Sequence, residues 1–334
     1  MEPLSVTLKL SEIVCHDEAD GIGNAEPYLW TIFFKIDGET IKQNGVSLTG
    51  DAVFYFGTGS HENLNTHAVD SGETVTIPAS VGEWHTTLTP IEIKDFSNNS
   101  QLIPAITGVA VILMEEDLVS DDGAKAGHTS LNNFVRDSIN NFLHGISLLD
   151  FVGVEHPQEK LNELITALTK TIKDEASGKV ATAIKNQQPW YNNAWAFINA
   201  DDNIGSEIFV FTQSDIVHNN YGVSLNKRWQ NEGDWEIFGN ISAPNPCNSF
   251  VILVNQQKNK IRAVNNQMSN LRATLGRKSP AERKIILAEI YELSQSLIPM
   301  QTELQRLTNL LNRCYINQSI HSTHVSGNMI TVLE

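Results

Sequence analysis

The sequence predicts an α+β protein: an antiparallel β-sandwich that carries a helical insertion and is followed by an antiparallel helical hairpin. Three observations carry this. Short strand signals separated by turn-rich segments fill residues 1–117 and return over 200–245. Between them, residues 118–199 switch to apolar residues at helical spacing. From 246 to 334, two helical patterns flank one tight turn.

The first strand signal is the alternation of SVTLKL at 5–10. YLWTIFFKI at 28–36 is aromatic and β-branched, and the Asp37-Gly38 that follows reads as a hairpin turn. AVFYFG (52–57), ETVTIP (73–78) and TPIEIK (89–94) are shorter candidates. TGVAVILM at 107–114 is nearly all apolar, the pattern of a buried strand. Leu131, Phe134, Val135, Ile139, Phe142, Leu143, Ile146 and Leu149 then line one face of a helix whose polar face is rich in Asn. A second helix starts near Pro157, carries Leu161, Leu164, Ile165, Leu168 and Ile172 on one side, and is expected to break at Ser177-Gly178. Strands return at SEIFVFT (206–212) and DWEIFGNISA (234–243), and PNPC at 244–247 ends them.

In the last third, Ile261, Val264, Met268, Leu271 and Leu275 keep a/d spacing. Ser279, Pro280 and Glu282 read as N-cap, first position and third position of the next helix, a capping box. Ile286, Ile290, Leu293, Leu297, Met300, Leu304, Leu307 and Leu311 step by four and three, a coiled-coil seam, with a kink expected at Pro299.

The totals bound the function. A chain of 334 residues with 41% hydrophobic content builds a real core. A formal net charge of −16 argues against nucleic acid as the main partner, because phosphate binding needs clustered Lys and Arg. It also argues against simple electrostatic docking on anionic lipid, unless something positive bridges the two. Cys15, Cys247 and Cys314 lie far apart and form no CxxC pair, which excludes a disulfide framework and the usual zinc spacings. Three free thiols in a reducing compartment is the expectation; one Cys15–Cys247 or Cys247–Cys314 bridge is the alternative. The start of the chain lacks a secretory signal and no run approaches the ~20 apolar residues of a bilayer span. The expectation is soluble synthesis and a cytoplasmic location, with signal-independent export and membrane association as the other reading.

Three acidic stretches stand out: DGIGNAEPY at 20–28, MEED at 114–117 and DDNIG at 201–205. Here the sequence resembles a C2 domain, the calcium-dependent lipid-binding β-sandwich. Asp20, Gly23, Ala25, Glu26, Pro27 and Tyr28 fit the register of that family's first calcium loop, with Ala for Ser and Glu for Asp and the two carboxylates six apart. Glu115 and Asp117 match the two acids of its third loop, again with Glu for one Asp. Asp202, Asn203, Ile204 and Gly205 match the step from that loop into the next strand. The resemblance covers roughly 1–117 and 200–245, with about eighty extra residues inside the third loop. It implies Ca2+ held by Asp20, Glu26, Glu115, Asp117 and Asp202. Clustered carboxylates that repel one another suit a divalent cation that takes six to eight oxygens. The alternative is that these acids are turn and cap residues or a solvated strand end.

Other constellations point elsewhere or nowhere. HENLNTH (61–67) and HSTH (321–324) read as surface or turn histidines. There is no GxSxG elbow, no phosphate loop and no dinucleotide fingerprint, so no catalytic residue is singled out. Trp190 and Trp195, in QQPWYNNAWAF, either dip into a lipid interface or pack the insertion on the sandwich.

The leading expectation is a non-enzymatic, calcium-dependent protein that binds membrane phospholipid through calcium, with the inserted helices at the lipid-facing tip. A pore-forming or insecticidal-type bacterial toxin is its more specific form. The second is a calcium-stabilised interaction protein that forms a homo-oligomer through the C-terminal coiled-coil hairpin. The third is an enzyme with a site between sandwich and helices.

Overall fold

Two segments, 27–36 and 106–115, carry residues that avoid water at both parities of the strand repeat, so each must be covered on two faces. The fold is built around them. The computed structural model describes residues 1–18, 24–59, 61–66, 68–94, 100–115, 121–147, 157–187, 203–231 and 233–323. Among these, the strands are β1 (Leu4–Asp17), β2 (Pro27–Ile36), β3 (Lys42–Asn44), β4 (Ser47–Thr49), β5 (Val53–Phe56), β6 (Thr74–Thr76), β7 (Glu83–Leu88), β8 (Ile91–Lys94), β9 (Ser100–Ile103), β10 (Ile106–Glu115), β11 (Asn203–Thr212), β12 (Gly222–Trp229) and β13 (Asp234–Ser242). The helices are α1 (Ala79–Gly82), α2 (Asp121–Gly145), α3 (Pro157–Gln187), α4 (Gln213–His218), α5 (Asn248–Thr274) and α6 (Pro280–Thr323).

One sheet runs β12-β13-β1-β6, with β7 also paired to β1; the other runs β11-β10-β2-β5. Their described pairings are antiparallel. Parity sorts the central strands. Leu29 and Phe33 of β2 and Val109, Val111 and Leu113 of β10 join Leu8, Leu10, Ile13, Trp235 and Ile237 of the five-stranded sheet in one buried cluster. Tyr28, Trp30, Ile32 and Phe34, with Ala110, Ile112 and Met114, join Leu131, Val135, Ile139 and Leu143 of α2 and Leu161, Leu168 and Ile172 of α3 in another. The four-stranded sheet is therefore the middle layer, covered by the second sheet on one face and by two helices on the other. Coarsely, the protein is α+β, with antiparallel sheets and a helical C-terminal region, as the sequence predicts.

Three local expectations are corrected. The stripe on α2 lies on the flat of the sheet, not at a tip, because its apolar width is used up covering Trp30, Ile32 and Phe34. The helix α3 continues through Ser177-Gly178. Asp37-Gly38 does not join two paired strands: β2 pairs with β5 and β10 instead. The Asp37 side chain is fully buried, bound to Lys35 Nζ at 2.9 Å and accepting from the backbone of Glu39 and Thr89. A Cβ on Gly38 would stand 2.1 Å from the Pro90 carbonyl oxygen, so this position admits only glycine.

The chain divides into two compact units, Met1–Ala243 and Pro244–His324. In the second, α6 turns back along α5. Gln257 donates to the Met300 carbonyl at 2.9 Å and Gln267 meets Glu289 at 3.5 Å, so residue numbers rise on one helix as they fall on the other. That register brings Cys247 and Cys314 to a Cα separation of 5.8 Å in a disulfide. This corrects the reading of three free thiols; only Cys15 is free, and it is buried. The capping box forms as expected: Ser279 and Glu282 exchange hydrogen bonds, which holds the Glu282 carboxyl down at about 2. α6 remains helical through Pro299. Among the described residues, no helix is long and apolar enough to cross a membrane.

Candidate functional site

The three acidic stretches are set by strand ends. Pro27, the first residue of β2, pairs with Glu115, the last of β10. Met114 pairs with Tyr28 on one side and Asn203, the first residue of β11, on the other. The chain thus enters β2 from Glu26, leaves β10 at Glu115 and enters β11 at Asn203, all at one end of the four-stranded sheet. Strand ends as far apart in sequence as Pro27 and Asn203 meet there because antiparallel pairing fixes them together.

Of the predicted calcium ligands, Glu26 and Glu115 are described; Asp20, Asp117 and Asp202 lie outside the described residues, as do Trp190 and Trp195. Glu115 is buried, 6% exposed, in the odd register of β10 that faces the other sheet. Glu26 is exposed and shares the even register of Tyr28, which faces the helices. The two carboxylates therefore leave the same end of the sheet on opposite faces.

The face of Glu115 has acids that the sequence reading missed. Cys15, fully buried at the end of β1, has its thiol pushed up to about 12, first by burial, then by the carboxylates of Glu18 and Asp17, with Glu115 adding to them. The buried thiol therefore feels negative charge from the end of β1 and from the end of β10, although Asp17 itself is exposed. Asp17 and Glu18 stand in CHDEAD, two to three residues before Asp20, but only the fold places the end of β1 near Glu115. Two nearby acids already have strong partners. Ser71 donates its hydroxyl to Glu18, which lowers that carboxyl. Asp234, opposite Asp17 in the β1–β13 register, accepts from Arg228 Nε at 2.5 Å and Nη2 at 2.6 Å and from Gln230 at 3.0 Å, which hold it at about 2.

A calcium ion needs six to eight oxygens. Among the described residues, no group of three or more His, Cys, Asp or Glu side chains is arranged to hold a metal ion. Glu115 and Glu26 alone do not make a cage, and the ligand set expected from the resemblance depends on the three acids outside the described residues.

His61 stands in a turn, as the sequence reading allows, and is half-buried: both ring nitrogens are shielded from solvent, and the ring packs 5.0 Å from Tyr28. His67 lies outside the described residues.

No family model, no curated protein and no solved structure matches the chain.

Proposed function

We propose that this is a calcium-dependent phospholipid-binding protein whose two sheets form a C2-like β-sandwich. Ca2+ would sit at the acidic end of the sheets, using Glu115 and the acids of the segments that meet there, and would bridge the negative protein to lipid phosphates. The supporting observation is the shared end of β2, β10 and β11, where Pro27 pairs with Glu115 and Met114 with Asn203. The reading is non-enzymatic. A toxin that acts on membranes is its narrower form, resting on the two amphipathic helices α2 and α3. Flotation with vesicles of phosphatidylserine and phosphatidylcholine, in calcium and in EGTA, tests the reading. Calcium-dependent flotation supports it; equal recovery in the lipid fraction under both conditions, or none in either, overturns it.

A second reading has its own observation. The helical unit buries few apolar side chains, while Leu287, Tyr291 and Ile298 stand 55%, 64% and 57% exposed along one face of α6. A coiled-coil hairpin with such a stripe suits self-association into a four-helix bundle. Light scattering across a dilution series, with the Tyr291→Lys variant as comparison, tests it.

A further inference from the structure

The α2–sheet interface is apolar almost throughout, with one exception at the N-terminal half of the helix. Trp30 of β2 is fully buried, and its Nε1 has no hydrogen-bond partner among the described residues. His128 of α2 packs its ring 5.5 Å from the Trp30 ring, and its Nε2 is likewise buried and unpartnered there. Asn132, one turn further along the same helix face, has a buried Oδ1 in the same condition. Gly59 closes the group from the side: a Cβ there would overlap the His128 ring at 2.1 Å. Tyr28 and His61, themselves in ring contact, are the neighbouring titratable groups on β2 and the loop after β5. Lys125 on α2 itself is exposed to solvent, and on α3 Lys179 sits over the Phe134 ring. Among the described residues, no carboxylate acts on His128. Buried polar atoms without partners are costly, and three at one place make this the weakly held part of the interface.

The far half of α2 is held differently. Asn140 accepts from the Ala52 backbone at 3.0 Å, and His144 lies 3.4 Å from an Asp51 carboxylate oxygen and 3.2 Å from the Gly50 carbonyl. Protonation of His128 places a charge between Trp30 and the helix with no group among the described residues to neutralise it.

We propose that His128 is an acid-sensitive latch: neutral, it seats the N-terminal half of α2 on β2, and protonated, it releases that half while the C-terminal half stays pinned at Asn140 and His144. Burial alone pushes the His128 imidazole down to about 4. Once released into water, the ring regains its ordinary affinity for protons, so acid favours the open form. The sign follows directly. The folded value lies below the unfolded one, so stability is complete above about pH 6.5 and falls as pH drops toward 4. Between pH 7 and pH 5 the opening equilibrium of this half-helix rises about 20-fold, in a window where ordinary carboxylates are still largely ionised. The latch requires neither calcium nor lipid and stands apart from the phospholipid reading.

Hydrogen exchange measured by mass spectrometry on the whole chain, without lipid and corrected for intrinsic exchange rates, tests it at pH 7 and pH 5. Peptides from 121–136 should lose protection about 20-fold at pH 5, while those from 137–145 change less than threefold. His128→Phe keeps the ring contact with Trp30 without a titrating group and should hold its protection at pH 5. If that variant does not fold, His128→Asn serves the same purpose. Unchanged protection of 121–136 in the native chain at pH 5, or an equal loss in the variant, overturns the proposal.

Discussion

Pro27 and Glu115 stand opposite one another across β2 and β10, and this single pair decides how the acidic end is divided. Because side chains alternate, Glu115 leaves on the side of Cys15 and the second sheet, and Glu26 on the side of the helices.

The first prediction uses that division. With free calcium at about a hundred times its dissociation constant, a folded-state site adds roughly 2.7 kcal/mol, or about 5–10 °C of midpoint for a unit of this size. Scanning calorimetry in calcium and in EGTA should show that shift. Glu115→Gln should remove at least half of it, and Glu26→Gln less. If Glu26→Gln abolishes the shift while Glu115→Gln leaves it, the cation lies on the helix side of the sheet.

The second prediction concerns thiols. Cys15 is buried and its thiol is raised to about 12, while Cys247 and Cys314 are joined. A thiol reagent at pH 8 should find no reactive group in the native protein, one in denaturant, and all three only after reduction. Cys314→Ser should lower the stability of the helical unit by roughly 2–4 kcal/mol, since the bridge closes a loop of 67 residues, and should leave the melting of 1–243 in place. Two native thiols in the untreated protein would remove the bridge.

The third prediction separates a core helix from a detachable lid. Ile139 is fully buried against the sheet. Ile139→Ala should cost about 2–5 kcal/mol in urea unfolding of the whole 1–243 unit, with its transition still cooperative. A cost under about 0.5 kcal/mol would mean that α2 is not part of the folding core.

How much of this was legible depends on how local the signal is. The strands β2 and β10 and the stripe from Leu131 to Leu143 were readable because burial on a periodic element writes itself into the sequence. The capping box at Ser279 was readable for the same reason, since both partners lie within four residues. The strands β7 and β12 were not, because polar residues stand at their inward positions or beside them: Lys227 is half-buried between Leu225 and Trp229, and His85 and Arg228 are exposed beside the half-buried Trp84 and Lys227, so the apolar pattern is interrupted. The Cys247–Cys314 pairing needed the register of two helices, which spacing alone leaves open. Asp17 and Glu18 were passed over because nothing in the sequence says that the end of β1 lies beside Glu115. Asp37-Gly38 was misread as a hairpin: a turn does follow, but β2 pairs with β5 and β10, and the buried contact of Asp37 with Lys35 leaves no mark in the spacing.

The last prediction rests on Asp37. Its carboxylate is fully buried and binds Lys35 Nζ at 2.9 Å; Lys35 is itself buried and also meets the exposed Glu39 at 2.6 Å. Burial alone would lower the Lys35 ammonium, but its hydrogen bonds to Glu39 and Asp37 outweigh that and raise it above its ordinary value. Asp37→Ala leaves the buried ammonium without its inner partner and strips acceptors from the backbone of Glu39 and Thr89, so it should cost roughly 3–5 kcal/mol. Adding Lys35→Met should restore part of that loss, because the unpaired charge is then gone. Because the folded Lys35 value is raised, the contribution of the pair is fully present below about pH 10.5 and is lost as pH climbs through the folded value. Urea melts at pH 7, 9 and 11 on the native chain and the double variant check the sign. The native chain should lose more stability than the double variant on the step to pH 11, and an equal loss in both would assign the network no ionic role.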